Sequence, residues 1–199
     1  LLITFVVAKD KMIVDETLKV KAGGVLTVDL ETGGDLVITT WKSMKVSVKV
    51  EANGWKKKEL PKISFKKDGK GAKLVSSKNK EHDRNQAHVT YMITVPKKFD
   101  LDLISMGGDF DVSGVHGNIQ GKTFGGSLEL NNLEGEIQLT TMGGSISLKN
   151  STLEGSVSTM GGRVLMENVY GGVKGSSMGG EVIRRNVEGA GGKMSGGLV

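Results

Sequence analysis

The sequence contains no cysteine and only two prolines in 199 residues. The absence of cysteine excludes disulfides, thiolate metal sites and cysteine nucleophiles. Aromatic residues make up 5% of the chain, so no large aromatic core is available. No apolar run approaches the ~20 residues that a membrane-spanning helix requires. We therefore expect no transmembrane span in this fragment.

The first eight residues form an apolar run, Leu1 to Ala8, which the charged residues Lys9 and Asp10 follow at once. Val6 and Ala8 place small residues where a signal peptidase requires them. The pattern predicts a signal-peptide remnant at residues 1–8, and hence an exported, extracytoplasmic protein of the periplasm, cell surface or medium. An apolar first strand is the alternative interpretation.

Glycine and charge both divide the chain near residue 100. Residues 1–100 hold seven of the 30 glycines and have 20 Lys/Arg against 12 Asp/Glu, a net charge of +8. Residues 101–199 hold 23 glycines and have seven Lys/Arg against ten Asp/Glu, a net charge of −3. We predict an irregular β-strand cap region over residues 9–100 and a repeat region over residues 101–199.

A strict period dominates the second region. Glycine pairs recur every 18 residues, beginning at Gly107, Gly125, Gly143, Gly161 and Gly179. Between the pairs, apolar and polar residues alternate, which is the period-2 pattern of strands with one buried face. The pattern predicts an all-β fold, a β-solenoid (β-helix) of 18-residue coils. Because another pair begins at Gly196, we predict that the solenoid is truncated at its C-terminal end.

Stacked coils should bring equivalent side chains into buried ladders. We predict one ladder of Leu128, Ile146 and Val164. A second is predicted from Ile137, Val157 and Val173, on the interpretation that Gly155 marks a two-residue insertion that the next turn compensates. Arg184 falls where an apolar ladder residue is expected, so either the register shifts there or the rod is near its open end.

The first region shows the same alternation without the period. Val25–Leu30, residues 36–40 and residues 46–50 are typical of strands, and Asp68-Gly69 predicts a hairpin between two more. Its lysines could contact an anionic polymer, and the candidate residues are Lys56, Lys57, Lys58, Lys66, Lys67, Lys70 and Lys73. The alternative is a solvated hairpin whose lysines block edge-to-edge pairing. Scarce arginine and few aromatics argue against nucleic acid.

No constellation for catalysis or cofactor binding emerges from the sequence. Asp109, Asp111 and Glu129 would share one face, but such a lone acidic trio is typical of a solvated edge. The three histidines lack metal-ligand spacing. A segment that resembles a phosphate-binding loop has His116 where that motif needs glycine. The residue after each glycine pair forms no acidic column for calcium. We predict no cofactor, no metal site and no enzyme.

Several segments resemble the bacterial putative-adhesin family over roughly residues 20–199. They are Tyr91-x-Ile93-x-Val95-Pro96, the run from Leu101 into Met106-Gly107-Gly108-Asp109, and the repeated Gly-Gly-x-apolar-x-apolar units. The resemblance implies an exported β-helical domain of unknown function that acts at the cell envelope without a catalytic site. One departure is methionine where members commonly have serine or threonine before the glycine pair, which we interpret as an enlarged apolar column.

The expected function is therefore a non-catalytic envelope or surface protein that binds a protein or an anionic or glycan polymer through a solenoid face. A carbohydrate-active β-helix enzyme is one alternative, and a structural, self-assembling solenoid is another. The sequence does not decide whether the protein self-associates.

Overall fold

The computed structural model describes residues 11–53, 60–78 and 88–189. Residues 1–8, where the signal remnant is predicted, lie outside this part of the chain. The described strands are β1 (Lys11–Lys19), β2 (Val25–Leu30), β3 (Asp35–Trp41), β4 (Lys45–Asn53), β5 (Lys62–Asp68), β6 (Gly71–Ser77), β7 (His88–Pro96), β8 (Asp100–Ser105), β9 (Phe110–Ser113), β10 (His116–Thr123), β11 (Leu128–Asn131), β12 (Glu134–Thr141), β13 (Ile146–Thr159), β14 (Val164–Tyr170), β15 (Lys174–Ser177) and β16 (Val182–Glu188).

Alternating burial explains why these segments are strands. In β4, Val46, Val48 and Val50 are fully buried, and the residues between them point to the outer face. Burying one such side chain stabilises the fold by ~1.5–3 kcal/mol. The strands predicted at residues 25–30, 36–40 and 46–50 are confirmed. The hairpin predicted around Asp68-Gly69 is also confirmed, because β5 and β6 pair antiparallel across it.

The predicted fold class, a β-solenoid of repeated coils preceded by an irregular layer, is wrong. The described strands join one 16-stranded sheet of mixed orientation, in the order β1-β4-β7-β3-β9-β11-β13-β12-β10-β8-β2-β6-β5. Beside this path, β14 and β15 pair with β13, and β16 pairs with β14. The strands that end this path, β1 and β5, approach each other. The sheet is therefore nearly closed and barrel-like.

The prediction failed because it treated the glycine period as a condition for joining the sheet. Strands pair when their apolar faces match, whether or not they share that period. In the parallel pairs β2–β8 and β3–β9, Leu26 lies opposite Leu101 and Leu36 opposite Phe110. The supposed cap is thus continuous with the glycine-rich part. Three antiparallel pairs, β1–β4, β4–β7 and β5–β6, extend the same sheet, so its orientation is mixed.

Strand β13 turns the sheet back on itself. Its first residues pair with β11 and β14, and its last residues pair with β12 and β15. Between the two parts lies Asn150, whose φ of 50° is in the left-handed region that asparagine tolerates. One continuous apolar cluster fills the space that the sheet encloses.

The predicted ladder of Leu128, Ile146 and Val164 is confirmed. Leu128 lies opposite Ile146, Ile146 lies opposite Val164, and all three are at most 1% exposed. The second predicted ladder is wrong, because Ile137 lies opposite Gly155 and Leu139 lies opposite Val157. Gly155 is therefore no insertion. It occupies the position of an apolar residue, and the 18-residue register continues through it.

Hydroxyl groups fix the glycine corners from inside. Thr141 Oγ1 donates a hydrogen bond to the Gly126 carbonyl oxygen at 2.7 Å and accepts one from the Gly144 N–H at 3.4 Å. Thr159 and Ser177 repeat the donated bond at 2.7 and 2.6 Å. These side chains are buried or nearly so, and the bonds satisfy polar groups that would otherwise be costly to bury.

A column of asparagines lies at a second corner. Asn132, Asn150, Asn168 and Asn186 have φ between 50° and 55°. The Asn168 Nδ2 donates to the Asn150 Oδ1 at 3.2 Å, and the Asn186 Nδ2 donates to the Asn168 Oδ1 at 2.8 Å. Identical amides stacked at the strand spacing form such ladders readily.

Arg184 lies on β16, the last of the described strands. It pairs opposite Met166, but its side chain is exposed, and its Nη2 donates to the Gly175 carbonyl oxygen at 3.2 Å. Among the described strands, β16 pairs only with β14 and β15 only with β13. The register is unchanged, which excludes the first of the two predicted explanations, and the charge avoids burial because the side chain is exposed.

The corner glycines differ sharply in the space around them, which provides a matched test. Gly126 has φ of +87°, and a β-carbon there would collide with the Gly108 carbonyl oxygen, whereas nothing lies within 4 Å of the same position at Gly125. We expect Gly126→Ala to lower the free energy of unfolding by about 3 kcal/mol and Gly125→Ala by less than about 0.5 kcal/mol. Urea unfolding followed by circular dichroism measures both, and equal losses would contradict the stacked-corner account.

Candidate functional site

The predicted lysine site lies partly within the described residues. Lys66, Lys67, Lys70 and Lys73 are all exposed on the β5–β6 hairpin, whereas Lys56, Lys57 and Lys58 lie outside the described residues. Lys66 is directly opposite Lys73 in the antiparallel register. Within residues 11–53, 60–78 and 88–189, none of these four lysines has a carboxylate within 4.0 Å. The hairpin therefore concentrates positive charge.

The structure shows a second surface that the sequence analysis missed. We call it the apolar ridge, and it consists of Met106, Phe124, Met142, Met160 and Met178, which are 43–80% exposed. Each member follows a Ser or Thr, which is buried in every case except the half-buried Ser177, and precedes a glycine pair. The N–H groups of Phe124, Met142, Met160 and Met178 each donate to a carbonyl oxygen of the adjacent strand, so the residues form one column.

The interpretation of these methionines as an enlarged apolar column of the core was wrong. Strand alternation places residue 141 inside and residue 142 outside, since Thr141 is fully buried and Met142 is 43% exposed. The signal was present in the sequence. The Ser or Thr column precedes the methionines by one position, so the two columns must point to opposite faces.

A groove of about 610 Å³ runs beside the ridge. Its walls include Ile104, Gln120, Gln138 and Thr140 on the outer face of β8, β10 and β12. Lys122 lies over the Phe124 ring, with its Nζ 5.6 Å from the ring centroid, so its alkyl stem lies along the ridge. A smaller groove of about 260 Å³ lies farther along the same strands, where Glu136 and Glu154 make the margin acidic.

Of the three acidic residues considered for catalysis, Asp109 has a structural role. The Asp109 Oδ1 accepts a hydrogen bond from the Ser127 N–H at 2.7 Å, and the Asp35 Oδ1 accepts one from the Asp109 N–H at 3.0 Å. Asp111 lies opposite Glu129 across β9 and β11, where both side chains are exposed. Asp109 thus supports the corner at the start of β11, and no partner in the described part of the chain gives the trio a proton-transfer geometry.

Two histidines contact carboxylates singly. The His88 Nε2 is 2.6 Å from the Asp35 Oδ2, and the His116 Nδ1 is 3.0 Å from the Glu134 Oε2. No group of three or more potential metal ligands occurs in the described ranges. His82, the third histidine, lies outside them.

A polar network is buried between β6, β7 and the connection from β2 to β3. The Tyr91 hydroxyl donates to the Ser76 Oγ at 2.7 Å, and the Thr32 Oγ1 is 2.5 Å from the same atom. Burial raises the pKa of Tyr91 above its ordinary value of 10.0, and the hydrogen bonds to Ser76 and Thr32 offset part of this rise. Ionisation of Tyr91 would place a phenolate charge in a buried site without water, which is unfavourable. The network therefore contributes to the packing of the core.

Comparison with known proteins gives structural similarity alone. No family model matches the chain, and no curated protein matches it in sequence. A cell adhesion protein of Clostridium sporogenes, named as putative, aligns with 91% of this chain and 97% of its own at 13% identity and a TM-score of 0.46. A putative adhesin of Bacteroides fragilis aligns with 92% and 98% at 14% identity and a TM-score of 0.34. A putative lipid binding protein of Parabacteroides distasonis aligns with 88% and 96% at 12% identity and a TM-score of 0.28.

The similar structures that carry adhesin names agree with the family resemblance that the sequence predicts. In the described ranges, no helix has the length and apolarity that crossing a bilayer demands.

The buried tyrosine generates a prediction about alkaline stability. Since the pKa of Tyr91 is raised by folding, its contribution is complete below pH 10 and is lost as the pH rises from 10.0 through the folded-state pKa. We expect Tyr91→Phe to lower the free energy of unfolding by about 1 kcal/mol at pH 8, because a buried hydrogen bond is lost. Urea titrations from pH 8 to 11.5 should show the difference from wild type shrinking above pH 10.

Tyr170→Phe controls for the loss of a phenol outside the core, because Tyr170 is 41% exposed. A difference between wild type and Tyr91→Phe that stays constant through pH 11.5 would contradict this account.

Proposed function

We propose that this protein is an exported, non-catalytic protein of the cell envelope that binds an anionic polymer through an exposed sheet face. The observation that carries the proposal is the lysine hairpin, with Lys66, Lys67, Lys70 and Lys73 exposed together on β5–β6. Lys56, Lys57 and Lys58 belong to the same proposed contact by sequence proximity. The proposal includes export through a signal peptide that ends at Ala8.

Electrostatics favours an anionic ligand at the hairpin. Like charges directly opposite in an antiparallel pair destabilise it, and Lys66 and Lys73 are such a pair. A polyanion that approached both ammonium groups would remove this repulsion and add attraction. The alternative role of these lysines is protection of the β5 edge, which pairs only with β6 among the described strands.

Binding without turnover is supported by the roles of the acidic residues. The Asp109 Oδ1 accepts a hydrogen bond from the Ser127 N–H, and Asp111 and Glu129 lie opposite each other with both side chains exposed. A glycosidase needs two carboxyl groups held across a substrate-sized cleft. The extended outer face suits a long polymer better than a small substrate.

Neutralising the hairpin should weaken polymer binding without unfolding the sheet. We expect Lys66→Gln with Lys73→Gln to raise the Kd for poly(glycerol phosphate) roughly 30-fold, since each lysine near an anionic surface contributes about 1 kcal/mol. Affinity should also fall steeply above ~0.15 M salt, where the screening length is ~8 Å. Fluorescence anisotropy with labelled polymer measures both effects, and Lys56→Gln, Lys57→Gln and Lys58→Gln together form a second arm.

The matched control is Lys149→Gln with Lys174→Gln, which removes the same charge from β13 and β15, two strands that do not adjoin the hairpin in the strand order. Neutral dextran tests whether charge or sugar is recognised. Binding that is independent of salt, or equal in the hairpin and control variants, would refute the proposal. Aggregation of the hairpin variant with unchanged polymer affinity would favour the edge-protection role.

A further inference from the structure

We propose that one end of the sheet docks on the surface of an anionic lipid bilayer. This end, which we call the basic end, consists of the four connections that follow β1, β3, β5 and β7, with Lys19 and Lys45 at the strand ends beside them. The connections are residues 20–24, 42–44, 69–70 and 97–99. They contain no aspartate or glutamate and five lysines, which are Lys21, Lys42, Lys70, Lys97 and Lys98. All seven lysines are exposed.

The topology of the sheet brings these four connections together. Strands β1, β3 and β7 run in one direction, since β1 and β7 are both antiparallel to β4 and β3 is parallel to β7. Backbone hydrogen bonds then join neighbouring connections. The Lys21 N–H donates to the Lys70 carbonyl oxygen at 2.8 Å. The Val20 N–H donates to the Met44 carbonyl oxygen at 3.1 Å, and the Lys97 N–H donates to the carbonyl oxygen of the last residue of β3 at 3.3 Å.

The lysines of the basic end repel one another. Lys19 lies directly opposite Lys45 in the antiparallel pair β1–β4, and like charges in such a position destabilise a strand pair. Within the described part of the chain, none of the seven ammonium groups lies within 4.0 Å of a carboxylate. A surface of negative charge that approached this end would relieve the repulsion and be attracted to it.

Few carboxylates oppose this charge. Asp68 and Asp100 are the two acidic residues at the strand ends beside the connections. The Asp100 Oδ1 already accepts a hydrogen bond from the Asn118 N–H at 2.8 Å. Glu134, which begins β12 farther along the same end, is 3.0 Å from the His116 Nδ1. Seven lysines against two aspartates leave the basic end strongly positive.

The distribution of the lysines fits a plane better than a line. In the strand order, β1, β4, β7 and β3 are consecutive near one end of the path, and β8, β2, β6 and β5 are consecutive at the other. The connections of the basic end join these two groups of strands, so its charge is spread across both walls of the nearly closed sheet. A bilayer presents anionic headgroups over a whole plane, whereas a linear polymer contacts a single row.

The β3–β4 connection adds apolar side chains among the lysines. Met44 is 43% exposed and lies between Lys42 and Lys45. The Trp41 Nε1 donates to the Lys45 carbonyl oxygen at 2.8 Å, which fixes this turn with the indole ring partly exposed. Tryptophan is enriched at membrane–water interfaces, and lysine stems extend along apolar surface while their ammonium groups stay in water. A bilayer therefore suits both parts of this turn, whereas a soluble polyanion has no apolar layer for Met44.

Vesicle sedimentation tests the basic end. Wild type should bind vesicles of equal parts phosphatidylglycerol and phosphatidylcholine, but not vesicles of phosphatidylcholine alone. Lys19→Gln with Lys45→Gln should lower the partition coefficient roughly 30-fold, because each lysine near an anionic surface contributes about 1 kcal/mol. The matched control, Lys149→Gln with Lys174→Gln, removes the same charge from β13 and β15 and should leave it unchanged. Absence of wild-type binding, or equal losses in the two variants, would overturn the proposal.

Met44→Gln separates a bilayer from a soluble polyanion. We expect it to weaken vesicle binding about fivefold, because apolar surface no longer enters the headgroup layer. Met12→Gln is the matched control, since Met12 is 46% exposed but lies near the opposite end of β1. Binding of poly(glycerol phosphate) should be unchanged in both variants, so this proposal and the hairpin proposal can fail separately. Equal effects of the two substitutions on vesicle binding, or a loss of polymer binding in Met44→Gln alone, would overturn bilayer docking.

The fluorescence of Trp41 reports whether this end meets the lipid. The chain has two tryptophans, so Trp55→Phe leaves Trp41 as the single emitter. On phosphatidylglycerol vesicles, its emission should shift to the blue and be quenched by brominated lipid. Bound protein whose Trp41 emission is unchanged would show that another surface meets the bilayer, and it would overturn the proposal.

Discussion

The close stacking of glycine corners is the constraint on which the rest of the sheet depends. At Gly126, a β-carbon would overlap the carbonyl oxygen of Gly108 on the neighbouring strand. Because the backbones touch there, adjacent strands are held at one register, and the Thr141 hydroxyl bonds to the same corner from inside. Each apolar side chain in the core then lies beside its equivalent. The buried ladder of Leu128, Ile146 and Val164 follows from this register.

The same register also orders the outer surface. A core that repeats on the inside forces a repeat on the outside, because successive residues of a strand point to opposite faces. The buried Thr141 and the exposed Met142 show how one corner produces both a hydroxyl column and an apolar ridge. Most outer columns carry charges, which keep the surface hydrated. The apolar ridge carries no charge, and this contrast makes it a candidate interaction surface.

Alternation in the sequence predicted the strands and one buried ladder, since both depend on local chemistry. Alternation did not predict which strands pair with each other. Nothing in Val25–Leu30 indicates that its partner is β8. The two strands share only an alternating apolar face, which other strands also have, and no sequence period links them. Aligning Gly155 with Gly135 also produced a false insertion, since a glycine can replace an apolar residue within a ladder. The β5–β6 hairpin was predicted correctly, and its lysines as a polymer contact stay a prediction. The ridge was overlooked because methionine was assumed to be buried.

The 18-residue register has a kinetic consequence. Each parallel pair along the glycine-rich part, such as β10–β12, must close a long loop before its first hydrogen bond forms, and loop closure is entropically unfavourable. The β5–β6 hairpin closes across a two-residue turn and so forms on a microsecond timescale. Folding rates fall as contacts become more distant in sequence. The chain should therefore fold slowly from local antiparallel pairs toward the parallel ladders, with unpaired edges exposed to aggregation until the last strands are in place.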